Sequence, residues 1–371
     1  MRIAIDARPL ISENPSGIGI YLIEILKNID LQDGNEYFLY TNEPLKNNNP
    51  ILKKFNTRVI KGNVGTLVIC FGLKKYLKID KIDIFWGTEH MLPLFTKICK
   101  RVVTVHDLAL IINPKWGSRK NAIMQNVFCK LSCKQADHII AISESTKDDL
   151  KTILHIDEKK ISVVYNGGTN RENTLLKPNE ISAMETKFNV EKFKFFSYVG
   201  NIEPRKNIST IVQAFDEYCK TYNSSCKLVL AGKFTWRQAE IMNAIESSTY
   251  INNIILPGYI SDREKQFLMS QSIAFLFPSN YEGFGIPIVE AFTYGSIVIC
   301  TKNSSLPEVG GKYAIYVDNN QHSLFLAMVK SSSINVDERE EFIQRSKKWV
   351  KQFNWRTCGI KTIDTIEREI L

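Results

Sequence analysis

Two glutamates with seven residues between them, Glu282 and Glu290, frame a glycine-bearing loop in the stretch Pro278-Ser279-Asn280-Tyr281-Glu282-Gly283-Phe284-Gly285-Ile286-Pro287-Ile288-Val289-Glu290-Ala291. The apolar run Ile273 to Phe277 leads into it and predicts a strand. Pro287 suits the first turn of a helix that follows. Gly283 and Gly285 let the backbone bring N–H groups close to an anion at that helix N-terminus. Carboxylates beside an anion make chemical sense when the ligand also carries hydroxyls for them to accept from, as a sugar and a ribose do.

Other candidate groups stand where apolar runs end. Phe195 to Val199 leads into Gly200-Asn201-Ile202-Glu203-Pro204-Arg205-Lys206-Asn207. Adjacent cations at a strand-to-helix junction suit a diphosphate, and an arginine can bind its oxygens in a bidentate way. Solvated surface charge is the plain alternative. His106 closes Val102-Val103-Thr104-Val105 and precedes Asp107; His90 ends Gly87-Thr88-Glu89-His90. A histidine in such a place either meets a ligand or satisfies local backbone groups. Ser16-Gly17-Ile18-Gly19-Ile20-Tyr21 opens an amphipathic helix after a first strand over residues 1–7. Its glycines allow a phosphate near the chain, but it lacks the third glycine and the acidic partner of a dinucleotide fingerprint.

The elements that must hold these groups alternate. Strands are expected at Tyr37–Tyr40, Val59–Ile60, Ile82–Trp86, Val102–His106, Asp137–Ile142, Lys227–Ala231 and Ser296–Cys300, with helices between them. Ser143 is a candidate N-cap. That alternation favours parallel, doubly wound sheets, whose ligands sit beyond the C-terminal strand ends. Residues 169–194 read as a linker with a short helix, Leu306–Gly310 as a turn, Asp337–Gln352 as a helix, and the end of the chain as a last helix.

The 371 residues, 44% hydrophobic and 23% charged, fit two globular domains. The first residues read as a strand, not a signal peptide, and the longest apolar run, Val64 to Leu73, is too short to span a bilayer. Eight cysteines without metal-type spacing read as reduced core thiols, which implies a cytosolic protein. The net charge of +9 is uneven: residues 1–175 hold 25 Lys and Arg against 18 Asp and Glu, and residues 176–371 hold 23 against 21. The basic half suits a phosphate-bearing acceptor or an anionic membrane face, or is simply solubility charge. Between 114 and 138, Lys115, Arg119, Lys120, Lys130 and Lys134 interleave with Trp116, Ile123, Val127, Phe128 and Leu131. This is either an interfacial surface or an ordinary helix burying its apolar stripe.

The segment from Pro278 to Glu290, with its E-G-F-G-I-P-I-V-E core, resembles the Glu-x7-Glu motif of retaining glycosyltransferase family 4. Gly200 to Asn207 resembles the family's G-x-x-E-P-R-K-N segment, Val105-His106-Asp107 its V-H-D motif, Ser16 to Tyr21 its G-I-G-R-Y segment, and Ile254 to Ser261 its base-binding segment. Ile20 and Asn201 stand where many members carry arginine. The resemblance covers nearly the whole chain and implies an α/β GT-B fold: two Rossmann-like βαβ domains facing across a cleft, residues 1–175 on the acceptor side and 176–354 binding the nucleotide sugar, with a helix over 355–371 crossing back to the first domain.

It also implies a chemistry. His106, Glu282, Arg205 and Lys206 become the catalytic set. Gly17, Gly19, Arg205, Lys206, Tyr259, Glu282, Phe284, Gly285, Ile286 and Glu290 become the donor site, with Glu290 accepting from ribose hydroxyls. No Asp-x-Asp segment offers metal ligands, and two cations can stand in for Mg²⁺, so neither metal nor cofactor is expected. Same-face substitution then retains the anomer. The donor is a nucleotide diphosphate sugar, with GDP-mannose favoured; the acceptor is a glycan or lipid-linked oligosaccharide in surface polysaccharide or O-antigen assembly, at the inner face of the cell membrane. The rivals are a phosphorylase or sugar-phosphate synthase on the same fold, and a non-enzymatic nucleotide-sugar or nucleic-acid binding protein. Glutamates at the centre of the site, and the lack of the aromatic–basic interleaving that marks a nucleic-acid module, disfavour nucleic acid.

Overall fold

Runs of branched and aromatic residues become two all-parallel sheets. The computed structural model describes residues 1–13, 15–31, 33–61, 65–168 and 175–368. They fall into two compact units, Met1–Gly167 with Phe353–Leu371, and Gly168–Gln352. The stretch 169–173 read as linker, and the end of the last helix at 369–371, lie outside the described residues.

The first unit holds β1 (Arg2–Asp6), β2 (Glu36–Thr41), β3 (Asn56–Val59), β4 (Ile84–Gly87), β5 (Lys100–Val105), β6 (His138–Ala141) and β7 (Ile161–Val163). Their order in the sheet is β3-β2-β1-β4-β5-β6-β7. Ile3, Ile5, Val103 and Ile139 are fully buried, as expected of strands covered on both faces. The strand order reverses between β1 and β4, which opens a crevice at their C-terminal ends. The helix Trp355–Arg368 belongs to this unit: Gly359 lies so close to Asn28, just past the helix Gly17–Lys27, that a Cβ there would meet the Asn28 Cβ at 2.8 Å.

The second unit holds β8 (Phe195–Val199), β9 (Lys227–Ala231), β10 (Ile254–Gly258), β11 (Phe275–Phe277), β12 (Val298–Thr301) and β13 (Ile315–Val317), ordered β10-β9-β8-β11-β12-β13. Here the order reverses between β8 and β11, which pair in register Phe275 to Ser197.

The structure corrects several local expectations. Val59 is exposed on the edge strand β3, with only Ile60 buried beyond it. Leu306–Gly310 is a short helix and not a turn, because Pro307 sits in its first turn, where a missing N–H is harmless. The strand β13 and the helix Gln321–Ser332 carry no expectation from sequence; three strand residues are too few to show a period. Ser143 does cap the helix Glu144–Leu154, accepting from the Thr146 amide at 3.0 Å.

Candidate active site

The reversal between β8 and β11 brings the two most chemically loaded loops together. After β8, Pro204–Lys206 forms one tight 3-10 turn before the helix Ile208–Thr221. After β11 comes the loop that starts the helix Ile286–Tyr294. The Asn280 amide donates to the Arg205 carbonyl at 2.8 Å and ties the loops backbone to backbone. Arg205 Nη1 donates to the Tyr281 carbonyl at 2.7 Å and to Glu282 Oε2 at 3.0 Å; its Nη2 donates to Glu203 Oε1 at 2.8 Å. Lys206 Nζ donates to Glu282 Oε1 at 2.5 Å and lies 5.0 Å from the centre of the Phe277 ring.

Both oxygens of Glu282 are thus held by cations, and Glu282 and Lys206 are buried. Burial alone would raise the Glu282 carboxyl; Arg205 and Lys206 outweigh it and hold the group down to about 2. Burial, with Arg205 adding to it, lowers the Lys206 ammonium against the pull of Glu282. The formal charges of Glu203, Arg205, Lys206 and Glu282 cancel. Each of the two cations is already paired with a carboxylate.

The loop is pinned from beneath. The Glu282 amide donates to Ser304 Oγ at 2.8 Å, and Ser305 Oγ donates to the carbonyls of Glu282 and Phe284 at 3.0 and 2.8 Å. Phe284 is buried, so of this residue only the backbone can serve a ligand. Gly285 caps the helix at φ +107°, which only glycine adopts without strain, and Ile286 is the first helical residue. Their amides lie at the positive end of the helix dipole. Glu290 is not part of the Glu282 cluster. It pairs with Lys265 Nζ at 2.5 Å, a partner that sequence reasoning missed. Tyr259 is 75% exposed, with Lys233 Nζ 5.0 Å from its ring centre.

In the first unit, β4 and β5 end side by side, and His106 sits between them. Its Nε2 lies 2.8 Å from the Thr88 carbonyl oxygen. The ring is flanked edge-on by Tyr21 at 4.8 Å and His90 at 5.5 Å. Tyr21 comes from the Gly17–Lys27 helix, whose entry needs Gly19: a Cβ there would come within 2.6 Å of the Pro9 carbonyl oxygen and 2.4 Å of the Pro15 Cβ. Gly17 faces open space. Burial first, then His90, brings the His106 imidazole down to about 4. Sequence reasoning also missed Arg8, clamped on Asp6 by bonds of 2.9 and 2.6 Å at the end of β1. An open depression of about 620 Å³ beside it is lined by Arg8, Ser12, Glu13, Ser16 and Lys46, among others.

The basic stretch beyond β5 divides its apolar residues. Phe128 and Leu131 pack against the core, while Ile123 and Val127 are exposed. Phe128 meets the half-exposed Phe71 edge-on at 6.1 Å, joining this stretch to 65–79. Cys129 and Cys133 share a buried face, their sulfurs 3.9 Å apart, and all eight cysteines are free. Among the described residues, no group of three or more His, Cys, Asp or Glu could hold a metal ion, and no helix is long and apolar enough to cross a membrane.

Two parallel sheets with loaded C-terminal edges define a two-domain α/β fold of the GT-B type. The family model described as Glycosyltransferase Family 4 matches residues 15–167, and that described as Glycosyl transferases group 1 matches 181–349. The chain belongs to the family 4 glycosyltransferases. It is 26% identical over 288 residues to O-antigen chain mannosyltransferase B of Escherichia coli, covering 78% of this chain and 75% of that protein. It is 24% identical over 287 residues to O-antigen chain mannosyltransferase RfbU of Salmonella typhimurium, covering 76% and 73%. Among solved structures it resembles HepE of Anabaena in complex with UDP and glucose, with a TM-score of 0.75 at 18% identity, over 99% of this chain and all of that one.

Proposed function

We propose that this glycosyltransferase moves a sugar, with retention and without a metal, from a nucleotide diphosphate donor to a glycan or lipid-linked acceptor in O-antigen assembly. Mannose from GDP-mannose is the favoured donor, supported by the mannosyltransferase names of the relatives. The observation that carries the reading is the meeting of Arg205, Lys206 and Glu282 at the strand-order reversal of the second sheet. The diphosphate lies against Arg205, Lys206 and the first-turn amides at Gly285 and Ile286. These donors are fixed before the ligand arrives, so negative charge growing on the leaving phosphate meets dipoles and cations that need not reorganise. Prior pairing with Glu203 and Glu282 keeps the cations charged and in place when the site is empty.

Glu282 positions the sugar, and His106 contacts it. Glu282 is a poor nucleophile here: both oxygens are engaged and its basicity is depressed. The acceptor therefore enters on the face the phosphate leaves, and the departing phosphate takes its proton. Glu290 accepts from the ribose hydroxyls, and Tyr259 lies by the base. The loop glycines Gly17 and Gly19 leave room for a phosphate near the first helix. No other cofactor takes part, and no nucleic acid is bound. The exposed apolar and basic surface around Phe71, Ile123 and Val127 rests on an anionic membrane at its inner face.

A turnover panel of GDP-, UDP- and dTDP-sugars tests this, with the product anomer read by NMR. GDP-mannose turnover that is unchanged in EDTA, with the α configuration kept, is the expected result. Strict dependence on Mg²⁺, or an inverted anomer, would overturn the mechanism.

A further inference from the structure

Glu290 has one side-chain partner among the described residues. Its Oε1 accepts from Lys265 Nζ at 2.5 Å. Lys265 stands on the helix Asp262–Gln271 and Glu290 on the helix Ile286–Tyr294, so the contact fixes one helix against the other. A capping box sets where the first helix begins: the Ser261 amide donates to Glu264 Oε2 at 2.7 Å, and the Glu264 amide to Ser261 Oγ at 3.3 Å. The cap residue Ser261 lies two residues after Tyr259, so one short turn separates the exposed tyrosine from the helix that carries the lysine. The side chains of Lys265 and Glu290 are 18% and 15% exposed. Burial lowers the affinity of Lys265 for its proton, but Glu290, with Tyr294 and Asp262 behind it, outweighs this, and the lysine stays charged.

We infer that Lys265 is a positioning residue for the donor ribose: it holds the Glu290 carboxylate in one orientation and so sets how strongly the protein prefers a ribonucleotide to its 2′-deoxy counterpart. This rests on the reading of Glu290 as the acceptor for ribose hydroxyls. An ionised carboxylate offers about four lone-pair sites. The ammonium occupies one and leaves the others for hydroxyls. Rotamer freedom that a lone glutamate would lose on binding is here lost on folding, which favours the ligand. A lysine that merely held two helices together would treat ribose and deoxyribose alike.

Calorimetry separates these roles. GDP and 2′-deoxy-GDP, and UDP and 2′-deoxy-UDP, are titrated into the wild type, Lys265→Met and Lys265→Arg, with melting temperature as the check on folding. The ribonucleotide that binds the wild type should exceed its deoxy analogue by about tenfold. Lys265→Met should lose about tenfold for the ribonucleotide and at most about twofold for the deoxy form, and Lys265→Arg should recover most of the loss. Equal losses for both nucleotides, no loss, or tighter ribonucleotide binding by Lys265→Met would overturn the inference. Wild-type protein that fails to tell ribose from deoxyribose would instead remove the role of Glu290, a result visible without any variant.

Discussion

His106 Nε2 faces a carbonyl oxygen, which can only accept, so the neutral ring carries its proton there and presents Nδ1 as an acceptor. It can take a hydrogen bond from a sugar hydroxyl but cannot donate one from Nδ1. With its imidazole brought down to about 4, it stays neutral through physiological pH. NMR of the labelled imidazole should find the Nε2–H tautomer and a titration near pH 4; a midpoint near the usual histidine value would refute this. The unfolded chain binds the proton first, so stability is full above about 6.5 and is lost as pH falls toward 4, by up to about 3 kcal/mol. The variant His106→Gln should therefore melt with a flatter dependence over that window. Glu282 acts lower: its stabilisation is full above the normal carboxylate range and is lost as pH falls from that range toward about 2. Removing its partners is a separate matter. Arg205→Ala with Lys206→Ala strips both charge-assisted contacts, each worth about 1.5–3 kcal/mol, and should depress turnover by orders of magnitude. It also leaves a buried carboxylate without counterions, so the melting temperature should fall too.

The loop and helix from Pro278 to Tyr294 act as one element, and much of it was legible. The glycines, Pro287 and the glutamates gave the loop and the helix start to within a residue, because each reports local backbone chemistry. The pairing of Glu290 with Lys265 was not legible, since it depends on how two helices separated by β11 pack. Nor was the pairing of Arg205 and Lys206 with Glu282, which exists only because β8 and β11 are neighbours in space. Asp6 and Arg8 hid for the opposite reason: a clamp two residues apart looks like any charged turn. The element makes its own prediction through Gly285. An alanine there keeps φ near +107° only under strain, and its Cβ would lie 3.1 Å from Leu306 Cδ2. The expected cost is about 1–3 kcal/mol, seen as a lower melting temperature, together with a raised KM for the donor as the amides of the first turn shift. Unchanged donor KM in a folded Gly285→Ala protein would separate those amides from donor binding.

Over the whole molecule, the charge is concentrated. Residues 65–79 carry three lysines and residues 108–136 five lysines and arginines, and neither stretch contains an aspartate or glutamate. Phe71, Ile123 and Val127, each 44–52% exposed, stand on these same stretches. An isolated exposed apolar residue means little, but apolar side chains on stretches that carry cations and no acidic residue suit a surface that is negative outside and greasy within. Each cation near such a surface contributes about 1 kcal/mol, so reversing two should be felt strongly. The full chain should sediment with phosphatidylglycerol vesicles and not with phosphatidylcholine vesicles. Raising the salt should weaken the binding, as should the double change Arg119→Glu with Lys120→Glu. Replacing Ile123 and Val127 by asparagine should lower affinity while leaving the salt dependence in place, since the apolar contribution is not screened. Equal binding to both vesicle types, or none to either, would return these residues to the role of ordinary surface.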